Sequence, residues 1–194
     1  GPIAEHVGER LEALFQVCYD GLSEGQVDTE IPGAVALLRQ LEAWGEWLIA
    51  YATGSYRGPA EHKLQRLGVA SGSSVLVTAS EFRTRRDIVA EAIRQRLAGA
   101  EHGHLGHVFS VGDGAWDART AAELGLHFIG VGHERNAPQL IELGARAVVP
   151  DFTDLPRFLS ALEVDSYQFA FNSLDIMSIH AASGGVDEES DLWR

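Results

Sequence analysis

Cysteine is nearly absent: Cys18 is the only one in 194 residues. An internal disulfide is therefore excluded, and a reducing compartment fits. Set among apolar neighbours on a helical pattern, Cys18 reads as a buried structural thiol. Long apolar runs are absent too, since none approaches the roughly 20 residues that span a bilayer. The N-terminus has no basic-then-apolar leader, so the chain is expected to be soluble and cytoplasmic, with no membrane partner. Basic residues are scarce, with 15 Lys and Arg against 28 Asp and Glu and a net charge of −13. No basic stripe exists to bind nucleic acid, which excludes that class. Lysine is almost missing, and Lys63, the single example, reads as a helix-surface residue. Internal repeats, coiled-coil heptads and long low-complexity linkers are also lacking. Gly1-Pro2 resembles the remnant of a protease cleavage.

What is present is a chain 45% hydrophobic, enough for one domain with a proper core. Ile3, Val7, Leu11, Leu14, Phe15, Cys18 and Leu22 fall at helical spacing, which predicts an amphipathic helix over 3–22 with one buried stripe. Pro32 opens a helix over 33–44, and Gly45 stops it. The apolar run Trp47 to Ala52 reads as a strand buried on both faces. A helix over 57–67, a strand over 75–79 and a helix over 87–97 follow. Beyond a Gly/His-rich loop come a strand over 108–111, a helix past Asp117 and a strand over 128–131. The pattern continues with a helix over 137–143, a strand over 147–149 and a helix over 155–162. Short apolar strands alternating with amphipathic helices predict an α/β fold with a parallel sheet covered on both faces. The tail from Val164 breaks the pattern: Tyr167 to Phe171 suits a strand, and Gly184 to Asp191 is polar and mobile in character.

Three strand ends carry chemistry, and open parallel sheets place ligands at that edge. Thr53-Gly54-Ser55 offers a hydroxyl and backbone N–H groups to an oxyanion. Arg83, Arg85 and Arg86 supply fixed positive charge. Gly112-Asp113-Gly114 makes a tight acidic turn, and Asp117 follows four residues after Asp113. Two carboxylates there suit a hard cation such as Mg²⁺, while the plain alternatives are a turn former and a helix cap. A hydroxyl, a guanidinium and a cation on one edge describe phosphoryl-transfer machinery.

On these residues the sequence resembles the haloacid dehalogenase (HAD) superfamily, in particular its capped phosphatases. Ile31-Pro32-Gly33 through Gly45 resembles the helix ahead of that family's second motif. Ala52 to Gly68, ATGSYRGPAEHKLQRLG, resembles the second motif, with Thr53 as its phosphate-binding hydroxyl. VGDGAWDARTAAELGLHFIGVG resembles the fourth motif, with Asp113 and Asp117 as its metal-side acids, and Gly144 to Phe152 also fits. For the third motif Arg86 is preferred over Arg83. The resemblance implies a Rossmann-like core over 31–163, a partial α-helical cap over 1–30 and a tail over 164–194. It also implies a Mg²⁺-dependent hydrolase of a small phosphate monoester. Asp113 and Asp117 would serve the metal, Thr53 with the Gly54 and Ser55 backbone would hold the phosphoryl group, and Arg86 or Arg83 would balance its charge.

The family's first motif, a central strand ending in DxD with the nucleophilic aspartate, has no counterpart ahead of residue 3. A piece of a longer enzyme, a strand from another chain, a non-catalytic relative and a circularly permuted order are the competing explanations. In the permuted order Tyr167 to Phe171 would supply the strand, with Asn172 at the nucleophile's place and Asp175 one residue out of register. A sheet without its middle strand would favour homodimerisation or strand exchange. A catalytically silent binding or assembly domain is the alternative function. Elsewhere, His102, His104 and His107 match no firm metal-ligand spacing. Trp116 reads as cover for the site's edge, packing at a cap interface or touching substrate. His133, Glu134 and Arg135, just after the strand over 128–131, read as a solvated loop, with contact to substrate from the same sheet edge as the alternative.

Overall fold

The computed structural model of the chain describes residues 2–23, 30–69, 75–98, 104–133, 135–163 and 173–180. In chain order the elements are α1 (Pro2–Ser23), α2 (Ala34–Trp44), β1 (Trp47–Ala52), α3 (Arg57–Leu67), β2 (Val75–Val77) and α4 (Arg85–Ala98). They continue with β3 (His104–Gly112), α5 (Ala115–Leu124), β4 (His127–Val131), α6 (Ala137–Glu142), β5 (Ala147–Val149), α7 (Leu155–Leu162) and β6 (Ser173–His180). The six strands form one sheet in the order β2-β1-β6-β3-β4-β5, every neighbouring pair parallel. This is the expected α/β, Rossmann-like architecture. No helix among the described residues is long and apolar enough to cross a membrane.

Residue size on alternate positions of β1 decides what covers each face of the sheet. Ile49 and Tyr51 join Leu37, Leu38 and Leu41 of α2 and Phe158 and Leu162 of α7 on one side. Ala50 and Ala52 point the other way, where their small side chains let α4 come close with Ile88, Val89 and Ala92. Beyond α4 on that second side, Ala118 and Ala121 of α5 and Leu140 of α6 pack on Phe128. Glycine is required where α2 begins. Gly33 has φ +82°, and a Cβ on it would lie 2.6 Å from the Phe152 carbonyl carbon. The Phe152 N–H donates to the Pro32 carbonyl at 2.9 Å. The Glu30 carboxylate accepts from the Val35 N–H at 2.8 Å, holding the start of the same helix.

The chain fills the middle of its own sheet. β6 pairs with β1 from Trp47↔Asp175 to Ala52↔His180 and with β3 through Val111↔Ile179. Residues 167–171, where a tail strand was expected, lie outside the described residues. The strand that forms is eight residues long and starts after Asn172. Asp175 and Ser178 interrupt its apolar character, which is why composition pointed instead to the more continuous YQFAF. Asn172 lies outside the described residues, and Asp175 is not near a nucleophile's position. Asp175 stands level with Trp47 at the amino end of the sheet, about 16 Å from the carboxyl edge at a rise of about 3.3 Å per residue.

The helix α1 corrects a second expectation. Val7, Leu11, Leu14, Phe15 and Val17 are exposed, and so is Cys18, so the stripe is not buried. The side of α1 that meets the rest of the chain is the more polar one. Ser80 donates to the Glu12 carboxylate, Tyr19 stacks edge-on against His62 at 5.6 Å, and Gln16 crowds Gly58. Phe15, though exposed, meets Tyr56 at the start of α3 edge-on at 5.6 Å.

Proline at Ser178, whose backbone pairs with both Ala50 and Ser110, removes a donor from the middle of the sheet. Ser178→Pro is expected to cost about 3 kcal/mol of stability or more. Urea unfolding checks this, and a shift below about 1 kcal/mol would place the tail outside the sheet.

Candidate functional site

β1, β6 and β3 end together, and the loops leaving β1 and β3 carry the side chains of interest. After Ala52 the chain stays tied to β2 through the Thr53 N–H, which donates to the Val77 carbonyl at 3.0 Å. The Thr53 side chain is 5% exposed, and its Oγ1 accepts from the Ser55 N–H at 3.1 Å. That contact shapes the loop into a tight turn and occupies one of the amides expected to face an oxyanion. The Ser55 carbonyl accepts from the Ala79 N–H at 3.1 Å, so the loops after β1 and β2 hold each other.

The residue that binds these loops to the acidic turn is Arg85. Its Nη1 donates to Asp117 Oδ1 at 2.9 Å, while a Cβ on Gly54 would lie 3.0 Å from its Nη2. One guanidinium thus lies against the Thr53–Gly54 turn and reaches the buried carboxylate at the start of α5. Arg86, the preferred residue from sequence, is exposed, with its Nη1 4.0 Å from Asp87 Oδ1. Arg83 is also exposed. The reason is a helix start two residues earlier than periodicity suggested. Thr84 Oγ1 accepts from the Asp87 N–H at 3.1 Å and donates to the Asp87 carboxylate at 2.7 Å, so Thr84 is the N-cap and Asp87 the third helical residue. The spacing Thr84-x-x-Asp87 was the available signal, and it puts Arg85 at the first helical position.

Asp117 is 1% exposed, and a glycine makes room for it: a Cβ on Gly112 would lie 2.6 Å from its Oδ2. The Gly114 N–H donates to that oxygen at 3.2 Å. Burial pushes the Asp117 carboxyl up to about 6, against the opposing pull of Arg85, the Gly114 N–H and the Trp116 indole N–H. Desolvation therefore outweighs the ion pair. Asp113 is half-buried at the turn between β3 and α5. The two acids thus differ in kind. Asp117 is held by a guanidinium and two N–H donors, and Asp113 stands nearer the solvent where a cation could meet it.

The remaining candidates lie elsewhere or outside the described residues. His102 and Glu134 are outside them. His107 is directed toward the opposite end of the sheet, with its Nδ1 3.2 Å from His127 Nε2. His133 and Arg135 are exposed. Lys63 is half-buried on α3. Among the described residues no group of three His, Cys, Asp or Glu side chains is gathered for a metal.

The raised Asp117 carboxyl has a signed consequence. Its proton is held to about pH 6 in the folded chain, against an ordinary 3.8. The folded state therefore binds more protons between those values, and this group's contribution to stability falls as pH rises through that window. Relative to the parent chain, Asp117→Asn should gain up to about 3 kcal/mol between pH 4 and pH 7. Urea midpoints of both proteins across that range test the sign, and parallel curves would show that the carboxyl is not perturbed.

No protein-family model and no curated protein matches the chain. Solved structures do. A hydrolase from Pseudomonas syringae superposes with a TM-score of 0.62 at 22% identity, over 80% of this chain and 70% of that one. A protein assigned as a beta-phosphoglucomutase from Bacteroides vulgatus superposes with a TM-score of 0.58 at 16% identity, over 79% of this chain and 62% of that one. At these identities the likeness is one of fold, an α/β, Rossmann-like core with a parallel sheet.

Proposed function

We propose that the chain is a HAD-type, Mg²⁺-assisted hydrolase of a small phosphate monoester. The observation that carries this reading is Arg85, lying against Gly54 and paired with Asp117 at 2.9 Å, so that the ends of β1 and β3 share one cation. A tetrahedral dianion needs donors and positive charge from several directions, and a guanidinium with backbone amides supplies both. Mg²⁺ is commonly held by one or two carboxylates together with phosphate oxygens and water. Asp113 fits that role directly, while Asp117, engaged by Arg85, acts from behind it by holding the guanidinium in place. When bound, the cation supplies further neutralisation of the phosphoryl oxygens. Thr53 shapes the turn and offers its hydroxyl, and Gly54 leaves the space through which Arg85 approaches.

The middle of the carboxyl edge is the end of β6, where His180 stands level with Ala52. No carboxylate of the described residues occupies that end of the strand. This favours a second reading, in which the same cradle binds a phosphate without turning it over and the domain is a binding or assembly module. With the middle of the sheet filled by the chain's own β6, homodimerisation needs no exchanged strand, and light scattering would report whether it occurs.

Hydrolysis of an aryl phosphate with and without Mg²⁺ separates the two readings. The enzyme reading expects Mg²⁺-dependent turnover that is abolished in Asp113→Asn. The binding reading expects no turnover but saturable phosphate binding, weakened about tenfold or more in Arg85→Ala. A folded protein showing neither turnover nor binding would reject both.

A further inference from the structure

Trp116 is the large apolar side chain that this edge leaves in the open, 49% exposed. An exposed indole near the start of a helix has no need of a fixed position, yet this one is held by three groups of the site itself. The Arg85 guanidinium carbon lies 5.3 Å from the ring centroid, over the ring. The indole N–H donates to the Asp117 carboxylate. The ring also lies so close over Gly114 that a Cβ there would collide with it. Trp116 therefore sits one guanidinium away from the Thr53–Gly54 turn, since the same Arg85 touches both.

We infer that Trp116 is a stacking platform for the ester group, and that the phosphate monoester this site takes carries a planar aromatic group. The inference rests on the phosphate-binding reading above and specifies its substrate class. A phosphoryl group bound at the solvent side of the Thr53–Gly54 turn and the partly exposed Arg85 guanidinium would carry its ester oxygen along the sheet edge on which Trp116 stands. A flat ring on that oxygen can lie against the uncovered part of the indole, while Arg85 fixes the indole from its other contact. Stacking of this sort rewards flatness and polarisability. A saturated ring of the same size gains only burial, and a methyl group gains almost nothing.

Calorimetric titration of the full chain in Mg²⁺ with inorganic phosphate, methyl phosphate, cyclohexyl phosphate and phenyl phosphate tests this. Phenyl phosphate is expected to bind about tenfold tighter than methyl phosphate, with cyclohexyl phosphate between them. Trp116→Phe should keep most of that ratio, because it retains an aromatic face while losing the N–H and part of the ring area. Trp116→Ala should bring the ratio toward one. Equal affinities for the phenyl and cyclohexyl esters in the parent chain would overturn the inference even if the Ala variant failed to fold. So would a ratio that survives in Trp116→Ala or is lost equally in Trp116→Phe. Binding of phosphate without any preference among esters rejects the platform and leaves the phosphate site standing. Absence of binding by every one of these anions rejects the phosphate site, and the platform with it.

Discussion

Pairing of β6 on both of its sides is the constraint on which the site depends. β1 and β3 both turn rows of backbone donors and acceptors toward the space between them. Those rows are satisfied only if a strand lies there. The registers Ala52↔His180 and Val111↔Ile179 bring β1 and β3 to the same level. They hold those strands two spacings apart, about 10 Å. That separation is set by backbone hydrogen bonds, and it is the distance across which Arg85 joins Gly54 to Asp117. The architecture therefore fixes the width of the cradle before any side chain takes part.

Within that width, the site holds a charge where charge is least welcome. Asp117 is buried at the start of a helix in a space that only Gly112 leaves open, and its carboxyl is raised despite a guanidinium at 2.9 Å. Such an arrangement costs stability in the chain taken alone. A purely structural cap could have been met by an uncharged residue, since one backbone N–H is all that needs an acceptor there. What the carboxylate adds is orientation of Arg85, whose guanidinium is one-third exposed and so reaches both the interior and the solvent edge.

Much of this was legible in the sequence, and the losses have physical reasons. Continuous apolar runs such as WLIAYA mark doubly buried strands, and β1 spans that run, Trp47–Ala52. Thr53, Gly54, Asp113 and Asp117 stand out in the sequence because glycine-flanked polar residues at strand ends leave a local pattern. Arg85 was passed over because three arginines within four residues look alike to periodicity, and only the cap at Thr84 decides which one faces inward. The buried stripe expected on α1 failed for another reason. Spacing shows which residues share a helix face, but not whether the rest of the chain offers a surface to that face. β6 was half legible: a strand in the tail could be expected from the gap, while its register depended on pairing with β1 and β3, which apolarity does not encode.

The position of β6 in the chain also bears on the order in which the molecule can assemble. Among the described residues five strands precede it, yet it lies third across the sheet. During synthesis β2 with β1, and β3 with β4 and β5, can form as two separate ribbons, each with an open inner edge. They cannot be joined until the last strand emerges. The contacts that close the sheet link Trp47 to Asp175 and Ala52 to His180, among the longest loops this chain can form, and long-range parallel pairing is slow. Until it is complete, two apolar edges are available to neighbouring chains, so misassembly is governed by the time between making β3 and inserting β6.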